Sequence, residues 1–289
     1  MQGKLHLIRI GEPQLILRKD IIESELIQRP LRWRIVILAE TSSTMDAARE
    51  LVEKGGCDAL AVFAEYQSEG RGRRHSSWCS PPCKSVLVTV AVPLKGIQPG
   101  DHCASWLGAV AVTELCTQLD IKAATKWPND VVVMHGSLNG PDTEVRKIAG
   151  IIVETIRPDR SGAKTAWHLL GIGLNVNQEE DDFPLDCSLK PTSVYIETGN
   201  ESELSMVAAF LLNTINSNVA MLRKSGGQAI HRKWESLSMM HKVNLTAITS
   251  EGRFECKFWG VTKAGDAIVR LPNGNTLVLN PGNTHFLLD

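Results

Sequence analysis

Aromatic residues are scarce in this chain, 5% of 289 residues with only two tyrosines, and neither sign of charge predominates. The 31 Lys+Arg against 32 Asp+Glu leave a formal charge of −1, which excludes a global basic field for nucleic acid or anionic membrane. Any phosphate site must therefore be local. Long apolar runs are missing as well. The best of them, Val86 to Leu94, falls far short of the ~18 residues of a spanning helix. The N-terminal MQGKLHLIRIGEPQ lacks the uninterrupted apolar core of a secretory signal. Cysteine is sparse, odd in number and dispersed (57, 79, 83, 103, 116, 187, 256), a set that reads as reduced thiols rather than a disulfide framework. These absences predict a cytoplasmic protein with no membrane association. What is present, 43% hydrophobic and 22% charged residues, is an ordinary globular composition, with length for roughly two domains.

Periodicity predicts strands at Arg34–Ala39, Ala59–Ala64 and Val86–Val92, and a helix at Met45–Lys54 capped by Ser43 and Thr44 and stopped by Gly55-Gly56. An amphipathic helix follows at Asp101–Leu119. Thr125–Trp127, Val131–Met134, Lys147–Thr155 and Ala166–Leu170 then read as strands joined by tight turns. Further helices are expected at Asp20–Ile27, Ser202–Arg223 and Gln228–Ser238, and the acidic stretch 178–203 reads as a solvated loop. Neighbouring antiparallel strands with interspersed helices predict an α+β fold with a mixed, largely antiparallel sheet. From Lys242 onward, five short β runs separated by Gly, Asn and Asp turns predict a small β-barrel.

Four stretches carry chemistry. In Gln67-Ser68-Glu69-Gly70-Arg71-Gly72-Arg73-Arg74-His75-Ser76-Ser77-Trp78, glycines allow close backbone approach and Arg71 and Arg73 offer guanidinium forks for phosphate or carboxylate. No Walker or dinucleotide pattern is present. Read alone, the stretch serves as well as a solvated basic turn, and Gln67–Lys84 reads as a long loop. Lys126-Trp127-Pro128-Asn129-Asp130 sets a cation, an amide and a carboxylate on one stiff turn, where Asp130 suits Mg²⁺ shared with a phosphate, or simply a salt bridge. Lys147 stands at the mouth of an apolar strand. Gly171-Ile172-Gly173-Leu174-Asn175 strips one strand face of side chains, so that a flat ligand could lie against it.

In this order the stretches resemble the biotin–protein ligases, also called holocarboxylase synthetases, over about residues 36–289. The resemblance rests on Ser43-Thr44, Gln67 with Gly70-Arg71-Gly72-Arg73, Lys126 to Asp130, Lys147-Ile148-Ala149-Gly150, and Gly171 to Asn175. It implies a catalytic domain like that of class II aminoacyl-tRNA synthetases at 36–240, an Src-homology-3-like β-barrel at 241–289, and an N-terminal extension at 1–35. It further implies activation of biotin by ATP and Mg²⁺ to biotinyl-5′-AMP, then transfer to a lysine of a biotin carboxyl carrier domain. Catalytic roles would fall to Lys147, Arg71 and Arg73. Biotin would meet Ser43, Thr44, Gln67, Gly70, Arg71, Gly72, Arg73, Lys147, Gly171 and Gly173. The nucleotide would meet Arg71, Arg73, Lys126, Trp127, Asn129, Asp130 and Asn175, with Asp130 toward the metal. Relatives include monomers and dimers.

The chain departs from the family pattern at His75 and Cys83, where many relatives carry glycine. His75, Cys79 and Cys83 have no fourth ligand at zinc spacing and read as loop decoration. The 39 residues before Glu40 hold no helix-turn-helix pair, so a monofunctional ligase that does not bind DNA is expected. The alternatives are a lipoate–protein ligase with the same acyl-adenylate chemistry and, from another class, a single-stranded RNA-binding module using Arg71, Arg73, Arg74 and Trp78.

Overall fold

The computed structural model describes residues 15–27, 30–55, 58–74, 76–94, 102–136, 143–157, 166–241 and 243–288. The N-terminal residues 1–14, Gly56, Cys57 and His75 lie outside them. One sheet runs in the order β1 (Trp33–Thr41), β2 (Ala59–Gln67), β3 (Ser85–Val92), β7 (Trp167–Asn175), β6 (Glu144–Ile156), β5 (Asp130–His135), β4 (Ala123–Lys126). The β1–β2 pair is parallel, with α2 (Thr44–Glu53) as its crossover, and the other pairs are antiparallel. The α+β expectation holds in that form.

The sheet is covered on both faces, which is why β3 reads as a continuous apolar run. Strand alternation sorts its residues between two cores. Ala59, Ala61 and Phe63 of β2 and Val86, Val88, Val90 and Val92 of β3 enter the large core with α3 (Cys103–Gln118), α5 (Leu204–Ser225) and α6 (Gly227–Ser236). Leu60, Val62, Ala91 and Leu169 pack instead with Met45, Ala48 and Val52 of α2. Gly171 and Gly173 follow Leu169 on the α2 face. The helix α2 starts where it does because Ser43, extended at φ −156°, accepts from the Met45 N–H at 3.3 Å, while Asp46 complements the first-turn dipole. Among the described residues α5 alone is long and apolar enough to cross a membrane, but 67% of its apolar window is buried inside the fold, as a core helix requires. The short α1 (Lys19–Ser24) docks on α5, where Asn213 and Asn216 donate to the Glu25 and Ile27 carbonyls at 2.8 Å each.

The C-terminal strands correct the barrel expectation. They form an open five-stranded sheet in the order β11 (Thr276–Leu279), β10 (Ala267–Arg270), β9 (Gly252–Val261), β8 (Asn244–Thr249), β12 (His285–Leu288), and β11 and β12 do not pair. Closure would need those two edges to meet. Instead β12 turns toward the large sheet: Phe286 packs on Trp127 with ring centroids 5.1 Å apart, and the Pro281 and Thr284 carbonyls just before β12 accept from Arg74 at 2.6 and 3.0 Å.

Two segments read as loops are more structured than expected. Within Gln67–Lys84, Gly72 N–H donates to Ser76 O at 2.7 Å, Trp78 N–H to Gly70 O at 2.8 Å, and Cys83 N–H to Glu65 O at 2.9 Å. A Cβ on Gly70 would lie 2.3 Å from the Trp78 carbonyl, so that close approach admits no side chain. Cys83 holds φ +62°, a left-handed conformation that glycine adopts without strain, which is the physical content of the departure from glycine there. The acidic stretch carries a 3₁₀ turn at Glu180–Asp182 and α4 (Val194–Thr198). It is fastened by Lys84 to Asp182 at 2.5 Å and by the buried Gln178, which donates to Asn175 Oδ1 at 3.1 Å.

Candidate active site

On the α2 face of the sheet a cavity of about 960 Å³ opens between the start of α2, the ends of β2 and β4, strands β6 and β7, the 67–84 loop and β12. Every residue singled out from the sequence lines it except two. Gly70 shapes the loop from behind, and Asn175 is buried with its amide donating to the Thr192 carbonyl at 2.9 Å.

One end is uncharged. Gly171 and Gly173 form its floor because nothing larger fits: a Cβ on Gly171 would lie 2.8 Å from Met45 Sδ, and one on Gly173 2.4 Å from Trp78 Cε2. Around this floor the hydrogen bonds of Thr44, Gln67 and Ser43 have a fixed direction. The Thr44 backbone N–H, one of the free donors of a helix first turn, reaches Gln67 Oε1 at 2.8 Å. That acceptor must be the amide oxygen, so the Gln67 Nε2 protons are left to donate. Ser43 Oγ accepts from Met45 N–H at 3.3 Å and from Arg71 Nη2 at 3.4 Å, which leaves its own proton to donate. Arg71 itself is drawn to Asp46, 2.7 Å away, rather than toward the other cations. That pair is half exposed and screened, so it orients more than it stabilises.

The other end is cationic. Lys147 Nζ sits 2.7 Å from Asp130 and 5.3 Å from the Trp78 ring centre. Arg73 reaches Asn129 Oδ1 at 3.4 Å and the Pro281 carbonyl at 2.8 Å, and Arg74 touches His285 as well as the two carbonyls of the C-terminal sheet. Asn129 is locked between strands, donating to Ile151 O at 2.8 Å. Trp127 is buried and donates to Gly265 O at 2.8 Å, closing the floor beneath Lys126. The charges are out of balance. Burial, aided by Arg74, holds the Arg73 guanidinium below its ordinary range; burial, with Lys147 opposing Asp130, does the same to Lys126. Burial and the neighbouring Arg74, Lys126 and Arg73 push the His285 imidazole down. An anion placed here would reverse each of these charge effects.

Sequence reasoning missed Trp78 as the wall over Gly173 and Gly150, with its buried indole N–H unpartnered. It also missed His285, whose β12 position carried no signal. For a divalent cation the donor set is thin. Among the described residues no group of three His, Cys, Asp or Glu is placed to hold a metal, and Asp130 offers the one carboxylate at the cationic end. That suits Mg²⁺ only when a substrate phosphate completes the coordination.

Fold and cavity together define an α+β protein whose neutral, glycine-floored pocket adjoins a cationic one under an arginine-bearing loop. The family model of the biotin/lipoate A/B protein ligases matches residues 38–175 of the chain. Its similarity to the bifunctional ligase/repressor BirA of Bacillus spizizenii is 26% identity, over 88% of this chain and 73% of that protein. To the biotin–acetyl-CoA-carboxylase ligase of Paracoccus denitrificans it is 28%, over 84% and 96%. Among solved structures, the biotin protein ligase from Aquifex aeolicus in complex with biotin and ATP superposes with a TM-score of 0.68 at 23% identity, covering 89% of this chain and 99% of that one.

Proposed function

We propose that this chain is a biotin–protein ligase: it condenses biotin with ATP to biotinyl-5′-AMP and then biotinylates a lysine of a carboxyl carrier domain. The observation that carries the reading is a single cavity whose neutral, glycine-floored end adjoins an end with four cations and one carboxylate. Biotin's fused ureido ring is flat, neutral and polar. The Gln67 amide and Ser43 hydroxyl donors suit its carbonyl, and Gly171 and Gly173 leave room for the ring.

In the first step a biotin carboxylate oxygen attacks the α-phosphorus, the new C–O–P linkage forms, and the bond to pyrophosphate breaks. Two anions must approach, so the barrier falls only if positive charge is already fixed where negative charge accumulates. Lys147 stands where the two ends meet, and Arg73, Arg74 and Lys126 receive the phosphates. Mg²⁺, held by Asp130 and the phosphates, would add to this neutralisation. In the second step the neutral ε-amine of the carrier lysine attacks the acyl carbon, AMP leaves, and the amide forms as the amine loses a proton. The mixed anhydride must be kept from water in between. The 67–84 loop covers that position with Trp78, its arginines tied to the C-terminal sheet. We place the reaction in the cytoplasm, where the six described cysteines would stay reduced.

Incubation with labelled biotin, ATP, Mg²⁺ and a carboxyl carrier domain tests the reading. Label on the carrier's acceptor lysine that depends on ATP is expected; an unlabelled carrier, or adenylation of lipoate in preference to biotin, would overturn it.

A further inference from the structure

The family joins enzymes for biotin and lipoate, acyl chains that end in rings of different polarity. Something in the neutral end must read that polarity. Thr89 is the one hydroxyl residue in the run Val86–Val92 of β3, fully buried beside Gly171 in the sheet register. Valine has nearly the same shape and is likewise enriched in strands, so the β fold gives no reason for the hydroxyl. Its oxygen lies 2.8 Å from Thr44 Oγ1, which in turn lies 3.0 Å from Gln67 Oε1.

The direction of this chain follows from one donor that cannot reverse. Because the Thr44 N–H fixes the amide oxygen of Gln67, the Thr44 hydroxyl must donate to that oxygen, and its proton is then spent. Thr89 must therefore donate to Thr44. The relay runs Thr89, Thr44, Gln67, and it ends with the Gln67 Nε2 protons as donors.

We infer that Thr89 is a positioning residue that, through the Thr44 hydroxyl, reinforces the Gln67 amide as a donor and thereby sharpens the pocket's preference for a cyclic urea over a ring that carries only sulfur. The inference rests on the biotin reading above. Loss of the Thr89 hydroxyl leaves a buried lone pair on Thr44 without a donor and frees the Thr44 hydroxyl to leave Gln67. The amide is then held by the Thr44 N–H alone, and its donors are aimed less firmly. The chemistry at Lys147, which this relay does not touch, is unaffected.

The test compares Thr89→Val, Thr89→Ser, Thr44→Val and the Thr89→Val/Thr44→Val double variant in pyrophosphate release with biotin and with lipoate. Thr89→Val should raise KM for biotin about tenfold and narrow the preference for biotin over lipoate by a similar factor, with kcat within about twofold. Thr89→Ser, which restores the hydroxyl, should return KM to within about twofold of the parent. The double variant should be no worse than Thr44→Val, since both changes cut one chain. An unchanged KM in Thr89→Val, a parallel fall of KM-independent turnover, or additive losses in the double variant would overturn the inference. If the unmodified protein turns over no biotin at all, the functional reading fails first, and the two failures are told apart.

Discussion

At the Gly171–Gly173 end of the cavity the Thr44 N–H and hydroxyl are both committed to Gln67, and the lone guanidinium, Arg71, is paired with Asp46 2.7 Å away. At the Arg73–Lys147 end four cations share the single carboxylate of Asp130. The first end is complete in itself and selects by shape and donor pattern; the second is held in repulsion until an anion arrives. Recognition of a neutral ring needs preorganised dipoles, because an unpaired buried polar group discriminates strongly. Binding a polyanion for attack by another anion needs an excess of positive charge, which the fold tolerates by tying Arg73 and Arg74 to backbone carbonyls before β12. The difference predicts that changes at one end should leave the other's affinity alone.

Lys147→Ala gives the largest effect and is the one change expected to touch both ends. Single-turnover pyrophosphate release should fall by about 10²–10³, the scale for loss of one preorganised charge stabiliser. Biotin affinity by calorimetry should fall only several-fold. A rate within about threefold of the parent would place the reacting atoms elsewhere.

Gly173→Ala acts on the neutral end. Its Cβ would meet the Trp78 ring at 2.4 Å, and relief of such overpacking costs about 1–3 kcal/mol. The expected result is a KM for biotin raised about tenfold or more, with KM for ATP within about twofold. Arg74→Ala acts on the opposite end by untying the loop from the C-terminal sheet. KM for ATP should rise about fivefold, and limited proteolysis should cut the 67–84 loop faster. A matching loss of biotin affinity would show that the loop, rather than the two ends, is the functional unit.

How much of this contrast was written locally can be argued from its parts. The neutral end was legible: alternating Gly171 and Gly173 signal a bare strand face, and Ser43 before an amphipathic run signals a helix start. The cationic end was legible as isolated lysines and arginines whose convergence depends on long-range pairing, such as β6 meeting β5 so that Lys147 and Asp130 touch. The resemblance, not periodicity, brought them together. His285 and the Arg74 tether were not legible, because they arise from an open C-terminal sheet whose strands also satisfy the pattern of a closed barrel. Turn residues and alternation specify strands; they do not say which edges meet. Thr89 was visible as a polar residue in an apolar run, a signal that gains meaning only once β3 lies beside α2.

Protonation offers the mildest way to separate the ends. Burial, with Lys147 against it, lowers the pKa of Lys126 in the free protein, so its ammonium is lost at a pH below the ordinary lysine value of about 10.4. Bound triphosphate favours the charged form and raises that pKa again. ATP binding on the alkaline side must therefore take up a proton, and KM for ATP should climb as pH rises through the depressed value. Biotin affinity depends on an amide and hydroxyls that do not titrate there, so it should stay level over the same interval. Lys126→Arg, charged throughout, should abolish the alkaline climb even if it weakens ATP binding at neutral pH. Calorimetry in buffers of different ionisation enthalpy reads the proton uptake directly. Should biotin affinity follow the same alkaline curve as ATP, the neutral end would have to contain a charge that its hydrogen bonds do not reveal, and the division between the two ends would fail at that point.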